Sequence, residues 1–334
     1  DQIVQGIDPV EQRKQARALL MAENATAKTF SQCAEAFIEA KGDEWDNPKH
    51  RQQWTNTLKT YADPHIGELL VRDITLAHIL EVLQPIWKTK TETATRVRGR
   101  IEAVLDWATV RGYRQGDNPA RWKGHLEQVL PKPSKVSKVE HHAAVALDDM
   151  PDFWLALRAA KGQGARALEF AILTAARSGE VRGARWQEFD IDAKLWTVPA
   201  DRMKGKREHR VPLSKQAIEL LQAAPKVEGS DVVFAGSKGQ PLSDMTLSKV
   251  MRSMGLEEVP HGFRSTFRDW AAERTNFPRD LAEMALAHVV ESKVEAAYRR
   301  GDMFAKRLQM MQAWADFIET PATKGNVLPM ARTG

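Results

Sequence analysis

The chain has 334 residues, more than one hydrophobic core ordinarily serves, and 43% of them are hydrophobic, enough to fill two. Lys and Arg number 49 against 44 Asp and Glu, and the resulting net charge of +5 suits a polyanionic partner without requiring one. One cysteine, Cys33, excludes an internal disulfide framework and a multi-cysteine zinc site and fits a reducing compartment, and no apolar run approaches the roughly 20 residues of a membrane span.

Residues 9–28 read as a polar helix with Asp8 as N-cap and Pro9 at the first helical position. Residues 1–28 therefore look like a connector, and a start at Asp rather than Met leads us to expect a fragment or processed product. From Thr29 the pattern turns amphipathic: Phe30, Cys33, Ala34, Phe37 and Ile38 recur at helical spacing until Lys41-Gly42. Helices are predicted around 48–61, 75–87 and 91–111, with turns at Asp63-Pro64, Gly67 and Gly112, which makes residues 29–122 an all-helical domain. The last of these helices turns Ile101, Val104, Leu105 and Ala108 inward and crowds Arg96, Arg98 and Arg100 near its start, where cations oppose the helix dipole. Those arginines form either a solvated face or a DNA-binding one. Residues 123–143 contain Pro131-Lys132-Pro133-Ser134-Lys135-Val136-Ser137-Lys138, too polar and proline-rich to pack. We read them as an extended basic interdomain linker, with Lys132, Lys135 and Lys138 open to phosphates or to water.

A second domain is expected over residues 144–320. Asp148 or Asp149 can cap a helix that has Pro151 in its first turn, and residues 166–176 form a strongly apolar helix with Leu168, Phe170, Ile172 and Leu173. The period then changes to two over 194–198 and 208–213, with Lys204-Gly205-Lys206-Arg207 as the hairpin turn between. Helices return over 214–223, 243–254, 262–274, 278–287, 292–300 and 303–318, and the tail 321–334 is expected to be disordered. The fold class is mainly α with a small antiparallel sheet.

Several residues carry chemistry. Arg177 ends the apolar helix at a Ser178-Gly179 break, and Glu180 stands where it can orient the guanidinium. His261 and Arg264 lie three residues apart at a helix start, where free N–H groups already favour phosphate. His288 closes the helix 278–287 as a cap or a ligand; zinc on His261 and His288 lacks a third ligand at metal-like spacing. Tyr298, one of only three tyrosines, follows Ser292-Lys293-Val294-Glu295, a capping box that gives it a short helix of its own. Ionising a free phenol, pKa about 10, costs about 4 kcal/mol at pH 7, so a nucleophilic tyrosine needs cations or a base nearby. Lys204 at the hairpin tip is either solvated or a general acid. Alone, each of these residues has an ordinary structural explanation.

In chain order, Arg177, Lys204, His261-x-x-Arg264, His288 and Tyr298 resemble the active site of the tyrosine recombinase or phage integrase family, over residues 144–318. Ala184-Arg185-Trp186, Arg202-Met203-Lys204 and Val211-Pro212-Leu213-Ser214 look like the integrases of temperate phages and genomic islands, and 29–122 is similar to that family's core-binding domain. The resemblance implies an all-helical core-DNA-binding domain plus a mixed α/β tyrosine-recombinase catalytic domain. It implies a site-specific recombinase that acts as a homotetramer on double-stranded DNA attachment sites, in the cytoplasm at the nucleoid, with accessory DNA-bending proteins as further partners and no metal, nucleotide or other cofactor. Tyr298 would attack the scissile phosphate, giving a 3′-phosphotyrosyl link and a free 5′-hydroxyl. Arg177 and Arg264 would clamp the non-bridging oxygens with His261 and His288, Lys204 would protonate the leaving oxygen, and Glu180 would orient Arg177. Two points depart from the pattern. Ala175-Ala176 replaces the Thr-Gly the family often has before its first arginine, a change expected to matter little, and Lys206 competes with Lys204. Relatives usually begin with a small domain for arm-type sites, and residues 1–28 look like its trailing connector. A type IB topoisomerase and a non-catalytic DNA-binding regulator are the alternatives.

Overall fold

The computed structural model describes residues 13, 14, 17, 27–45, 48–137, 143–288 and 301–320. Most of the predicted connector, Lys138, the helix 292–300 with Tyr298, and the tail 321–334 lie outside the described residues. The chain divides into two compact units, residues 1–140 and 141–334.

In the first unit, α1 (Phe30–Gly42) starts with a capping box: Thr29 Oγ1 accepts from the Gln32 backbone N–H while Gln32 Oε1 accepts from that of Thr29. Its buried stripe is Phe30, Cys33, Ala34, Phe37 and Ile38, the positions its period predicts. Then come α2 (Pro48–Tyr61), the single turn α3 (Asp63–Ile66), α4 (Leu76–Trp87) and α5 (Thr91–Val110). Helix α5 packs against α1, α2 and α4, and its Ile101, Val104, Leu105 and Ala108 are fully buried. The stretch expected to be an extended tether behaves differently through Ser137. Leu126 and Leu130 enter the core of the first unit, Trp87 Nε1 donates to the Pro131 carbonyl at 2.9 Å, and Pro133–Val136 forms a short helix, α6, against α5. Leu126, Leu130 and Val136 pack the tract on the first unit's core, and prolines present no N–H that needs a partner.

The second unit contains α7 (Met150–Ala159), α8 (Gln163–Thr174), α9 (Ser178–Arg182), the strands β1 (Phe189–Asp190), β2 (Leu195–Val198) and β3 (His209–Pro212), then α10 (Lys215–Ala223), α11 (Thr246–Ser253), α12 (Gly262–Glu273), α13 (Arg279–Ala285) and α14 (Phe304–Glu319). The sheet is antiparallel in the order β1-β2-β3, with Trp196 opposite both Phe189 and Val211, so one face of β2 buries Trp196 and Val198. Strand β1 is too short to show an alternating pattern in the sequence.

Helix α8 is the hub, touching α7, α9, α10, α11 and α14. It is apolar nearly all round, as a helix surrounded by others must be. Its one buried acid is Glu169, 2.7 Å from Arg166; burial pushes its carboxyl up to about 7, against the pull of Arg166 and Arg158. At the far end of α8, Trp314 Nε1 donates to the Ile172 carbonyl at 2.8 Å and ties α14 to the turn before Arg177.

Candidate active site

Helices α8 and α13 end alike. Ala175 and Ala287 both take left-handed backbone with φ of 50°, turning the last carbonyls of the two helices outward. Such carbonyls have no partner within their helix and lie at the negative end of its dipole. Arg264, in the first turn of α12, supplies the partner. Its guanidinium donates to the Ala175 carbonyl, donates at 2.6 Å to the Leu286 carbonyl and lies 3.2 Å from His288 Nε2. In the first turn of α12 this cation opposes the dipole of its own helix, but the fold places it at the negative ends of two others. Burial, with Arg177 nearby, lowers its pKa to about 10, and it stays protonated at neutral pH. Its buried Nε has no hydrogen-bond partner among the described residues. Ala175 holds this turn at a cost, since an L-residue with a Cβ pays roughly 1–2 kcal/mol in the left-handed conformation.

Arg177 sits at the N-cap of α9. Its Nη1 meets Glu180 Oε1 at 2.8 Å, its backbone N–H donates to Glu180 Oε2 at 2.9 Å, and its Nη2 reaches the Ala287 carbonyl at 3.5 Å. Glu180 is buried, so the pair is fixed from behind. His288 extends the chain of contacts, with Nδ1 2.6 Å from Glu283 Oε2. Arginine can only donate, so Nε2 of His288 accepts and Nδ1–H donates to Glu283, a tautomer assigned from the network. Burial would raise the Glu283 carboxyl, but the His288 hydrogen bond and Arg268 together hold it below its usual value.

His261 is the exposed N-cap of α12, on the same turn as Arg264. Gly262 beside it was not singled out from sequence, yet a Cβ there would lie 2.3 Å from the Ala143 carbonyl oxygen and 3.0 Å from Ala144 Cα. Its signal was available: glycine is a poor choice in a helix unless space demands it. His209 on β3 was missed as well. It is partly buried, with a hydrogen bond to the Ala285 carbonyl and Glu180 and Arg177 in its field, and burial followed by the charge of Arg307 lowers its pKa to about 4.

The fold thus brings Arg177, Glu180, Arg264 and His288 into one contact network, and His261 caps the helix turn that carries Arg264. Lys204 is exposed on the β2–β3 connection just after the buried Met203, and Lys206 follows with left-handed backbone. Tyr298 lies outside the described residues. Of the arginines proposed to touch DNA, Arg96 is exposed beside Glu92. Arg98 is held by Glu102 at 2.6 Å and the Ala120 carbonyl at 3.0 Å. Arg100 is buried, donating to the Gln53 carbonyl at 2.6 Å under the Trp54 ring. The guanidiniums of Arg98 and Arg100 thus satisfy carbonyls of their own unit. Lys132 and Lys135 are exposed. Among the described residues no group of three or more His, Cys, Asp or Glu could hold a metal ion, and no helix is long and apolar enough to cross a membrane.

Two guanidiniums aimed by backbone carbonyls and a buried carboxylate, with a histidine beside them, make a preorganised cationic site for a phosphodiester. Residues 30–125 match the phage integrase central domain and residues 148–303 the phage integrase family; the chain belongs to that family. It is 32% identical to the integrase of Enterobacteria phage P4 over 96% of this chain and 75% of that protein. It is also 32% identical to prophage integrase IntZ of Escherichia coli (strain K12) over 98% of this chain and 80% of that one. Its fold is similar to that of a lambda integrase tetramer bound to a Holliday junction, with a TM-score of 0.64 at 17% identity, covering 86% of this chain and 83% of the other. The Tn1549 transposon integrase in complex with circular intermediate DNA matches with a TM-score of 0.58 at 15% identity, over 82% of this chain and 100% of the other. The protein is a site-specific DNA recombinase of the tyrosine recombinase type.

Proposed function

We propose that the chain binds double-stranded attachment sites as a homotetramer and exchanges strands through a 3′-phosphotyrosyl intermediate on Tyr298, integrating or excising a mobile element. In cleavage, Tyr298 Oη bonds to phosphorus as the P–O5′ bond breaks. The phenolic proton passes to His261 or to water, and a proton from the Lys204 ammonium goes to the departing oxygen, which leaves as a free 5′-hydroxyl. Rejoining is the reverse step with the 5′-hydroxyl of the partner strand as nucleophile. One phosphoester bond is exchanged for another at each step, so the energy of the broken bond is kept.

The observation that carries this reading is the Arg264 network, in which donors to Ala175 O and Leu286 O fix a guanidinium beside Arg177 and His288 before any substrate arrives. Such preorganised cations act where charge develops in the transition state and lower the cost of ionising a phenol. The first unit takes the role of core-DNA-binding domain, with the exposed Arg96, Lys132 and Lys135 as phosphate contacts. Tetrameric assembly and DNA binding draw support from the tetramer of lambda integrase on its junction and from the DNA complex of the Tn1549 enzyme. Accessory DNA-bending proteins and a place at the nucleoid in the cytoplasm complete the proposal.

A nicked suicide substrate tests it. The parent protein is expected to accumulate a covalent DNA adduct, and Tyr298→Phe to bind the same DNA with unchanged affinity and form none. An adduct persisting in the variant, or one that mass spectrometry locates on another residue, refutes the assignment.

A further inference from the structure

Arg202 closes the 3-10 turn Ala200–Arg202, two residues before Lys204. Its side chain is only 18% exposed. One arm of the fork donates to Glu188 Oε1 and the other to the backbone carbonyl of Glu180. Glu188, 6% exposed, is held in turn by Trp196, whose Nε1 donates to Glu188 Oε2 at 2.9 Å from the fully buried middle of the central strand.

The Glu180 carbonyl belongs to the short helix α9. There the carbonyls of Arg177, Gly179 and Val181 take backbone N–H groups from Val181, Gly183 and Ala184, and the carbonyl of Glu180 is filled by Arg202 instead. Gly183 opens the approach. A Cβ there would lie 3.1 Å from Arg202 Nη2 and 3.3 Å from its Nε, although the backbone at Gly183 has φ of −97°, which any residue adopts. An alanine there would press on the guanidinium, which would have to give by a few tenths of an ångström.

We propose that Arg202 is a positioning residue that locks the base of the Lys204 hairpin to α9, the helix that presents Arg177, so that the general acid and the phosphate clamp stand on one rigid base. Nothing in the residue order predicts the contact, because Arg202 and Glu180 come from different elements. The inference rests on the reading of Lys204 as general acid.

The test uses a suicide substrate whose scissile P–O5′ bridge is replaced by P–S5′. Sulfur departs as a thiolate and needs no proton, so loss of a correctly placed general acid is felt on oxygen and not on sulfur. Arg202→Met and Arg202→Lys are expected to slow cleavage of the oxygen substrate by roughly 10-fold or more, with the sulfur substrate cleaved within about 3-fold of the parent rate on the same reasoning. Lys204→Met should behave in the same way, and Arg177→Ala should be slow on both substrates. Arg202 variants that are equally slow on both substrates, or normal on both, overturn the proposal. If Lys204→Met is not selectively restored by sulfur, the general-acid reading falls and takes this inference with it. If Lys204→Met is restored and the Arg202 variants are not, the positioning role falls alone. Circular dichroism reads folding separately, and Gly183→Ala, which crowds the guanidinium without replacing it, repeats the test at a milder level should Arg202→Met unfold.

Discussion

Replacing Arg264 with lysine keeps the charge and removes the fork. In the parent, two arms of the guanidinium serve the Ala175 and Leu286 carbonyls at the ends of α8 and α13. A lysine ammonium gathers its donors on one nitrogen at a shorter reach and cannot reproduce the two separate arms, and each buried carbonyl left without its donor costs about 1–3 kcal/mol. In a unit of this size each kcal/mol moves the thermal midpoint by about 2–4 °C, so a mid-range loss lowers it by about 4–8 °C. Differential scanning calorimetry reads that shift. The cleavage rate on a suicide substrate should fall by about 10²–10³-fold, as it does when one preorganised donor to a developing charge is lost. A midpoint unchanged within about 1 °C refutes the claim that Arg264 caps the two helices. A lowered midpoint with undiminished cleavage leaves a structural arginine and removes it from the phosphate clamp.

Further outcomes follow from the same geometry. Gly262→Ala puts a methyl 2.3 Å from the Ala143 carbonyl oxygen, so the backbone must move. We expect a loss of about 1–3 kcal/mol in urea unfolding, and an unchanged midpoint would contradict the close approach. Glu169, with its folded pKa raised to about 7, contributes stability that is fully present below the unfolded value of 4.5 and lost as pH rises through 7. Glu169→Gln should therefore stabilise by roughly 3 kcal/mol at pH 8 and by little at pH 4.5; equal effects at both would sink the account. For His209 the sign is opposite. Its folded pKa is depressed to about 4, so its contribution is present above 6.5 and lost as pH falls toward 4, and His209→Gln should flatten that part of the stability profile.

Local pattern was enough for the elements that bury one stripe or one face. The apolar spacing of α1 and α5, the all-round apolar character of α8 and the alternation of β2 are all written in neighbouring residues, because a helix or a strand repeats its environment at fixed intervals. Strand β3 departs from the expected alternation, with Val211 and Pro212 both buried. Four of the candidate residues named from sequence, Arg177, Glu180, Arg264 and His288, are gathered by the fold into one network. What the sequence could not supply was the set of partners. That Arg100 turns inward to Gln53, that Leu126 and Leu130 seat a tract that composition marks as a tether, that Gly262 exists for the sake of Ala143, and that Arg264 stands at the ends of two helices other than its own all depend on backbone atoms far away in the chain. A carbonyl oxygen is the same in every residue type, so the sequence cannot say which one an arginine will find. Only the packing of α8 and α13, with their two left-handed turns, brings those oxygens to one point.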